Sequence, residues 1–193
     1  MDRGDLCGWT AQDRPVMLAC THGKKDRCCA KFGFAAYSEL ARRAGPDGPE
    51  VWESTHLGGC RLSGSALSFP AMRKYGRIEP GGVADLLADE AADRPWLPGW
   101  RGASHLPAAG QAAAHMAESW ARARDGRMEN CQEMDGHWQA TIALPDGIAS
   151  LHLKTVSETL IRPGTCDDLD AEVFAKADTW HAYLVRVVRD LAA

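Results

Sequence analysis

No stretch of this chain is apolar for long enough to cross a membrane, and the opening residues, Met1-Asp-Arg-Gly-Asp-Leu, lack the apolar core of a signal peptide. Both absences predict a cytoplasmic protein with no membrane partner. Nor is there an excess of basic charge: 22 Lys and Arg face 26 Asp and Glu, a formal net charge of -4, whereas a general nucleic-acid binder is usually strongly basic. Nucleic acid is therefore not an expected partner. No internal repeat or low-complexity linker divides the 193 residues, a length that suits one domain or one domain with an appendage. Two further absences concern sulfur. There is no Cys-x-x-Cys, and the seven cysteines are an odd number, so a disulfide framework cannot pair them all within one chain.

What is present is a clustering of soft ligands. Cys20-Thr-His-Gly-Lys-Lys-Asp-Arg-Cys28-Cys29 is followed by Thr55-His56-Leu-Gly-Gly-Cys60. Eight residues separate Cys20 from Cys29, and three separate His56 from Cys60. Two compact pairs of this kind are what zinc or an iron–sulfur cluster needs. On spacing alone a structural zinc site built from three cysteines and one histidine is a rival, since that closure is common for zinc. A thiol–disulfide oxidoreductase is a third reading, weakened by the missing Cys-x-x-Cys and by the restrictive geometry of a bridge between adjacent cysteines. Cys7, Cys131 and Cys166 stand apart and read as small buried or incidental side chains. No Ser-His-Asp hydrolase arrangement can be assembled from what the sequence marks.

The pattern of elements places the pairs. Pro15 to Ala19 is a short apolar run that reads as a strand delivering Cys20 at its tip. Ala30 to Arg43 has Phe34, Tyr37, Leu40 and Ala41 at helical spacing, and the Gly-Pro-Asp-Gly-Pro turn from Gly45 ends it. Val51 to Thr55 is a second strand leading to His56, and Gly58-Gly59 permits a tight turn before Cys60. A hairpin of Ala66–Phe69 with Tyr75–Ile78 follows, then helices over Val83–Glu90 and Gln111–Arg124, with a proline-bearing loop between them. The tail changes character. His137–Leu144, Ala149–Val156 and His181–Val188 carry strand patterns, although the stretch after Asp178 also admits a helix. The expectation is an α/β fold with helices on a small mixed sheet over residues 1–130, and a β-rich extension over 131–193 packed on it.

These motifs resemble the sucrase/ferredoxin-like family of thioredoxin-like [2Fe–2S] proteins. The resemblance rests on Cys20-Thr-His-Gly-x-x-Asp-x-Cys28-Cys29-Ala and Ser54-x-His56-x-Gly-Gly, supported by Tyr75-Gly-Arg77, Trp100-Arg-Gly-Ala-Ser104 and Arg162-Pro-Gly-Thr-Cys166. It implies a thioredoxin-like fold and a [2Fe–2S] cluster near the surface, working in one-electron transfer. Carried over by position, Cys20 and Cys29 hold one iron, and His56 and Cys60 the other. Cys28 is left as a packing residue or spare thiol. The family has histidine at both ends of the second motif, and other thioredoxin-like ferredoxins have Cys-x3-Cys there, so Cys60 falls between two patterns. A site of three thiolates and one imidazole predicts a midpoint potential above the all-cysteine range and below a two-histidine site. Electron transfer coupled to protonation of His56 is a second expectation.

The implied partners are an electron donor, such as a flavoprotein reductase, and an acceptor; the sequence is equally compatible with a monomer and a homodimer. Lys24, Lys25, Arg27 and Lys31 surround the first cysteine pair. They read either as a solvated loop or as a basic docking face for an acidic redox partner.

Overall fold

The computed structural model describes residues 14–191; Cys7 lies outside them. Its first half is a five-stranded sheet. Strand β1 (Val16–Cys20) runs through a π-helical turn (Cys29–Gly33) into helix α1 (Phe34–Ala44), which crosses to β2 (Glu50–Ser54), parallel to β1. A 3-10 turn (Cys60–Leu62) leads to β3 (Ala66–Phe69) and β4 (Arg73–Tyr75), both antiparallel to their neighbours. Helix α2 (Val83–Ala91) precedes the edge strand β5 (Trp100–Ala103), giving the order β2-β1-β3-β4-β5. This is the small mixed sheet with packed helices expected from the pattern of elements.

Apolar alternation places the core. Met17 and Ala19 of β1, Ala36 and Leu40 of α1, Tyr75, and Val83 and Leu86 of α2 are buried together. Each large aliphatic side chain buried in this way contributes roughly 1.5–3 kcal/mol. The inner face of α1 is narrower than the sequence pattern suggested. Phe34 and Ala41 are exposed, because the buried stripe passes through Gly33, Ala36 and Leu40 instead.

Helix α3 (Ala108–Arg122) joins the halves of the molecule. Its Ala114 belongs to the first core, while Ala113, Ala117 and Ala121 pack in a second core with Trp138, Ile142, Leu151 and Leu153. Small side chains on both faces let α3 lie close to two layers. The second layer is an antiparallel sheet in the order β6-β7-β8-β9, made of β6 (Arg127–Met134), β7 (His137–Leu144), β8 (Gly147–Arg162) and β9 (Ala175–Leu191).

Several expectations change here. The tail from residue 175 is a strand, because it pairs with β8 along the length of both. Strands β5 and β6 lie where no strand was expected. The second hairpin strand ends at Tyr75 rather than beginning there. β7 pairs only with the Gly147–Leu153 part of β8, so the rest of β8 and its partner in β9 continue as a two-stranded ribbon. The ribbon ends at helix α4 (Cys166–Asp170), which opens with a reciprocal cap between Thr165 and Asp168.

Candidate metal centre

The first sulfur pair is set by the end of β1. Cys20 aligns with Ser54, the last residue of β2, and its N–H donates to the Ser65 carbonyl at 2.9 Å. The backbone of Cys20 is thus fixed from both neighbouring strands. Cys29 opens the π-helical turn, and four residues on Gly33 passes against β1. A Cβ on Gly33 would lie 2.0 Å from the Cys20 carbonyl oxygen, so only glycine allows the helix to start this close to the strand. That approach brings Cys29 beside Cys20.

The second pair is set by a left-handed turn. Gly58 and Gly59 have φ of 81° and 73°, and the Gly59 carbonyl accepts from Leu62 N at 2.8 Å, closing the 3-10 turn that carries Cys60. Lys74, reaching from β4, donates its Nζ to the Leu57 carbonyl at 2.8 Å and holds the loop from the other side.

Together these loops bury Cys20, Cys29 and Cys60 in one cluster, 2%, 1% and 4% exposed, with Leu57 packed against them. The Cys60 Sγ lies 3.3 Å from Nδ1 of His56, whose ring is at the surface. All four residues singled out in the sequence therefore converge at one end of the first sheet. Burial, and then the neighbouring Cys20 and Cys60 sulfurs, push the Cys29 thiol up to about 12. Burial also raises Cys60. The Cys29 and Cys60 thiols ionise side by side only where a cation compensates, and a metal centre supplies that compensation while displacing their protons. Two thiols on one loop, with a thiol and an imidazole on the other, fit a [2Fe–2S] cluster and fit zinc.

Further polar groups stand around these sulfurs. Lys74 is held below its ordinary range by burial, with Cys20 acting in the opposite direction. The Ser63 hydroxyl donates to the Cys28 carbonyl at 2.6 Å. Nδ1 of His22, inside the first loop, is buried without a hydrogen-bond partner. No spacing signal marks Lys74 or Ser63, since both arrive from the hairpin side of the sheet.

Cys28 is neither a spare thiol nor a packing residue: it is joined to Cys166, 138 residues away, in a disulfide. Cys166 correspondingly is not incidental. Asp26 lies buried beneath this link, and its carboxylate accepts from Cys28 N at 2.8 Å and from Cys166 N at 3.0 Å. Asp26, Cys28 and Cys166 thus gather within 4.8 Å, but the two sulfurs bond to each other, which makes the group a covalent staple rather than a ligand set. Arg27 pairs with Asp170 of α4, so this member of the basic run is committed within the chain. Lys24, Lys25 and Lys31 remain exposed. The sequence signal for Asp26 was its fixed place in Cys20-Thr-His-Gly-x-x-Asp-x-Cys28.

Residues 8–102 match the model of the sucrase/ferredoxin-like family. Among solved structures, a thioredoxin-like [2Fe–2S] ferredoxin from Aquifex aeolicus is similar with a TM-score of 0.42 and 11% identity, over 47% of this chain and 93% of its own. The wild-type thioredoxin-like [2Fe–2S] ferredoxin from Aquifex aeolicus, solved at 1.5 Å, gives a TM-score of 0.41 and 12% identity, over 46% and 97%. No curated protein matches. No helix among the described residues is long and apolar enough to cross a membrane.

Proposed function

From a chain whose residues 8–102 belong to the sucrase/ferredoxin-like family, we propose an electron carrier that holds a [2Fe–2S] cluster on Cys20, Cys29, His56 and Cys60. The observation that carries this reading is the burial of three free thiols in one cluster, with the exposed His56 ring 3.3 Å from the third. When bound, such a cluster takes up and returns one electron. The chain's own groups then have defined tasks. Cys20 and Cys29 hold the inner side, Leu57 excludes water beside them, and Lys74 places a cation near the thiolates. His56 forms the solvent edge of the site, beside Cys60.

The surface next to this edge suits a protein partner. Lys24, Lys25 and Lys31 are exposed on the first ligand loop, and Phe32 and Phe34, 49% and 53% exposed, flank Gly33. Cations around an exposed apolar pair favour an acidic redox partner, such as a reductase that donates the electron or an acceptor that removes it. In this reading the protein carries electrons and transforms no substrate itself. In a reducing compartment the Cys28–Cys166 link is a reversible one, because such compartments oppose lasting disulfides.

The test is anaerobic purification with ultraviolet-visible and EPR spectra and a count of iron and sulfide. A red-brown protein with two irons per chain and an EPR signal on reduction is expected, as is loss of colour in each of Cys20→Ser, Cys29→Ser and Cys60→Ser. The same donor set favours zinc as the second reading. A colourless protein holding one zinc per chain replaces the cluster with a structural site.

A further inference from the structure

A group of guanidinium charges without carboxylate partners begins at Arg61, directly after Cys60. Arg61, Arg101 and Arg162 line a cavity of about 670 Å³ between the segment after Cys60, helix α3 and the strand β9. Arg77 stands close enough for its charge to act on Arg61 and Arg101. Among the described residues none of these four guanidinium groups has an ion pair or a hydrogen bond to a carboxylate. Elsewhere Arg27, Arg42, Arg43, Arg73, Arg122 and Arg127 reach acids within 4.0 Å, and Arg124 and Arg189 lie over the Trp120 ring. Nε of Arg101 is buried with no partner at all. Asp178 is the one acid lining the cavity; it is exposed and accepts from Thr159 Oγ1 at 2.8 Å.

Four like charges gathered in a chain of net charge -4 repel one another, and a buried N–H left unpaired costs about 1–3 kcal/mol. An anion removes both penalties. We propose that this cavity binds a small phosphate-bearing molecule, with Arg61, Arg101 and Arg162 as its direct contacts. Phosphate is the chemistry that matches convergent guanidinium groups, since each planar fork can donate two parallel hydrogen bonds to its oxygens. The volume exceeds what one phosphate fills, and Trp180 and the neutral side of His115 line the remainder. His115 is kept neutral by burial, with Arg101 acting in the same direction. A diphosphate group carrying an organic portion against these rings uses the whole space. Neither Lys24 nor Lys25 of the basic loop lines this cavity. The inference stands on the arginines and does not need the cluster.

Calorimetric titration of the full-length protein with inorganic pyrophosphate and, separately, with ADP tests it at low and at physiological salt. Saturable binding that weakens with salt is expected for at least one of them. Tighter binding of ADP assigns the rest of the cavity to a nucleoside, and tighter binding of pyrophosphate assigns the site to a free polyphosphate. Arg101→Gln and Arg162→Gln should each weaken binding by roughly tenfold or more, while Lys24→Gln, outside the cavity, leaves it unchanged. Should Arg101→Gln fail to fold, Arg162→Gln carries the comparison, because that residue lies on the ribbon rather than in the sheet core. No binding of either compound at roughly 10 mM, or equal binding by wild type and both arginine variants, overturns the proposal.

Discussion

Cys28 and Cys29 are neighbours in sequence and face opposite regions of the molecule. Cys29 turns inward to the buried thiols at the end of β1, while Cys28 turns outward and is bonded to Cys166 at the start of α4. The first region is built from close packing: Gly33 against the Cys20 carbonyl, Cys60 on its 3-10 turn, Lys74 across the loop. The second is built from long reach, since the β8–β9 ribbon carries α4 back across 138 residues to meet the ligand loop. One peptide unit therefore joins a site that needs free thiols to a staple that consumes them. Asp26, accepting from both backbone N–H groups of the staple, fixes which cysteine faces which way.

The largest expected effect separates the two sulfurs directly. Cys29→Ser should abolish the visible absorption of the cluster, and Cys28→Ser should retain it; retention in the first and loss in the second reverses the assignment. Next comes the staple. Cys166→Ser should leave the visible spectrum intact but lower the unfolding free energy by roughly 2–5 kcal/mol, because a bridge across so long a loop restricts the unfolded chain most. Identical denaturation midpoints for wild type and Cys166→Ser would mean that the bond is not formed in solution.

The packing of the inner region is tested by Gly33→Ala. Its new methyl group would meet a backbone oxygen that cannot step aside, so a cost of roughly 1–3 kcal/mol is expected together with loss of bound iron. An alanine variant with full iron content and an unshifted melt would show that α1 can move away from β1. The free thiols also give a pH dependence with a definite sign. In cluster-free protein the Cys29 pKa is raised from 9.0 to about 12, and Cys131 is raised from 9.0 to about 11 by burial. Their stabilising contribution is complete below pH 9 and declines as pH rises towards 12, because the unfolded chain ionises first. Cluster-free protein should therefore melt at progressively lower temperature above pH 9, whereas loaded protein, whose thiolates are already bound, should fall less steeply over that range.

Much of the inner region was legible because its signals are local. Apolar runs ending in Cys20 and before His56, glycines after His56 and helical spacing after Cys29 all act within a few residues, and the elements formed where those patterns stood. The staple left no such trace. Cys28 could be matched to Cys166 only through the course of the whole ribbon, and the length of that ribbon was itself hidden. Half of β8 has both faces towards solvent, so it lacks the alternation by which a strand is recognised. Strand β6, RMENCQEM, is mostly exposed for the same reason. Net charge misled in a similar way: a total of -4 says nothing about four arginines that the fold places together. Lys74 was hidden because its position on the hairpin, not its spacing from any cysteine, aims it at Leu57.

Lys74 also gives the smallest effect and the finest comparison between the regions. Its half-buried ammonium stands near Cys20, whereas Lys24 sits exposed on the loop that leads to the staple. A positive charge favours the reduced, more negative cluster, and the favour is larger where solvent and salt screen it less. Lys74→Gln keeps a donor for the Leu57 carbonyl while removing the charge, so it should lower the midpoint potential by roughly tens of millivolts. Lys24→Gln should move it far less, and its small shift should vanish as salt is raised. Equal shifts for both lysines in a redox titration would mean that the inner pocket is as well screened as the surface loop, and that Lys74 serves only to hold the second ligand pair in place.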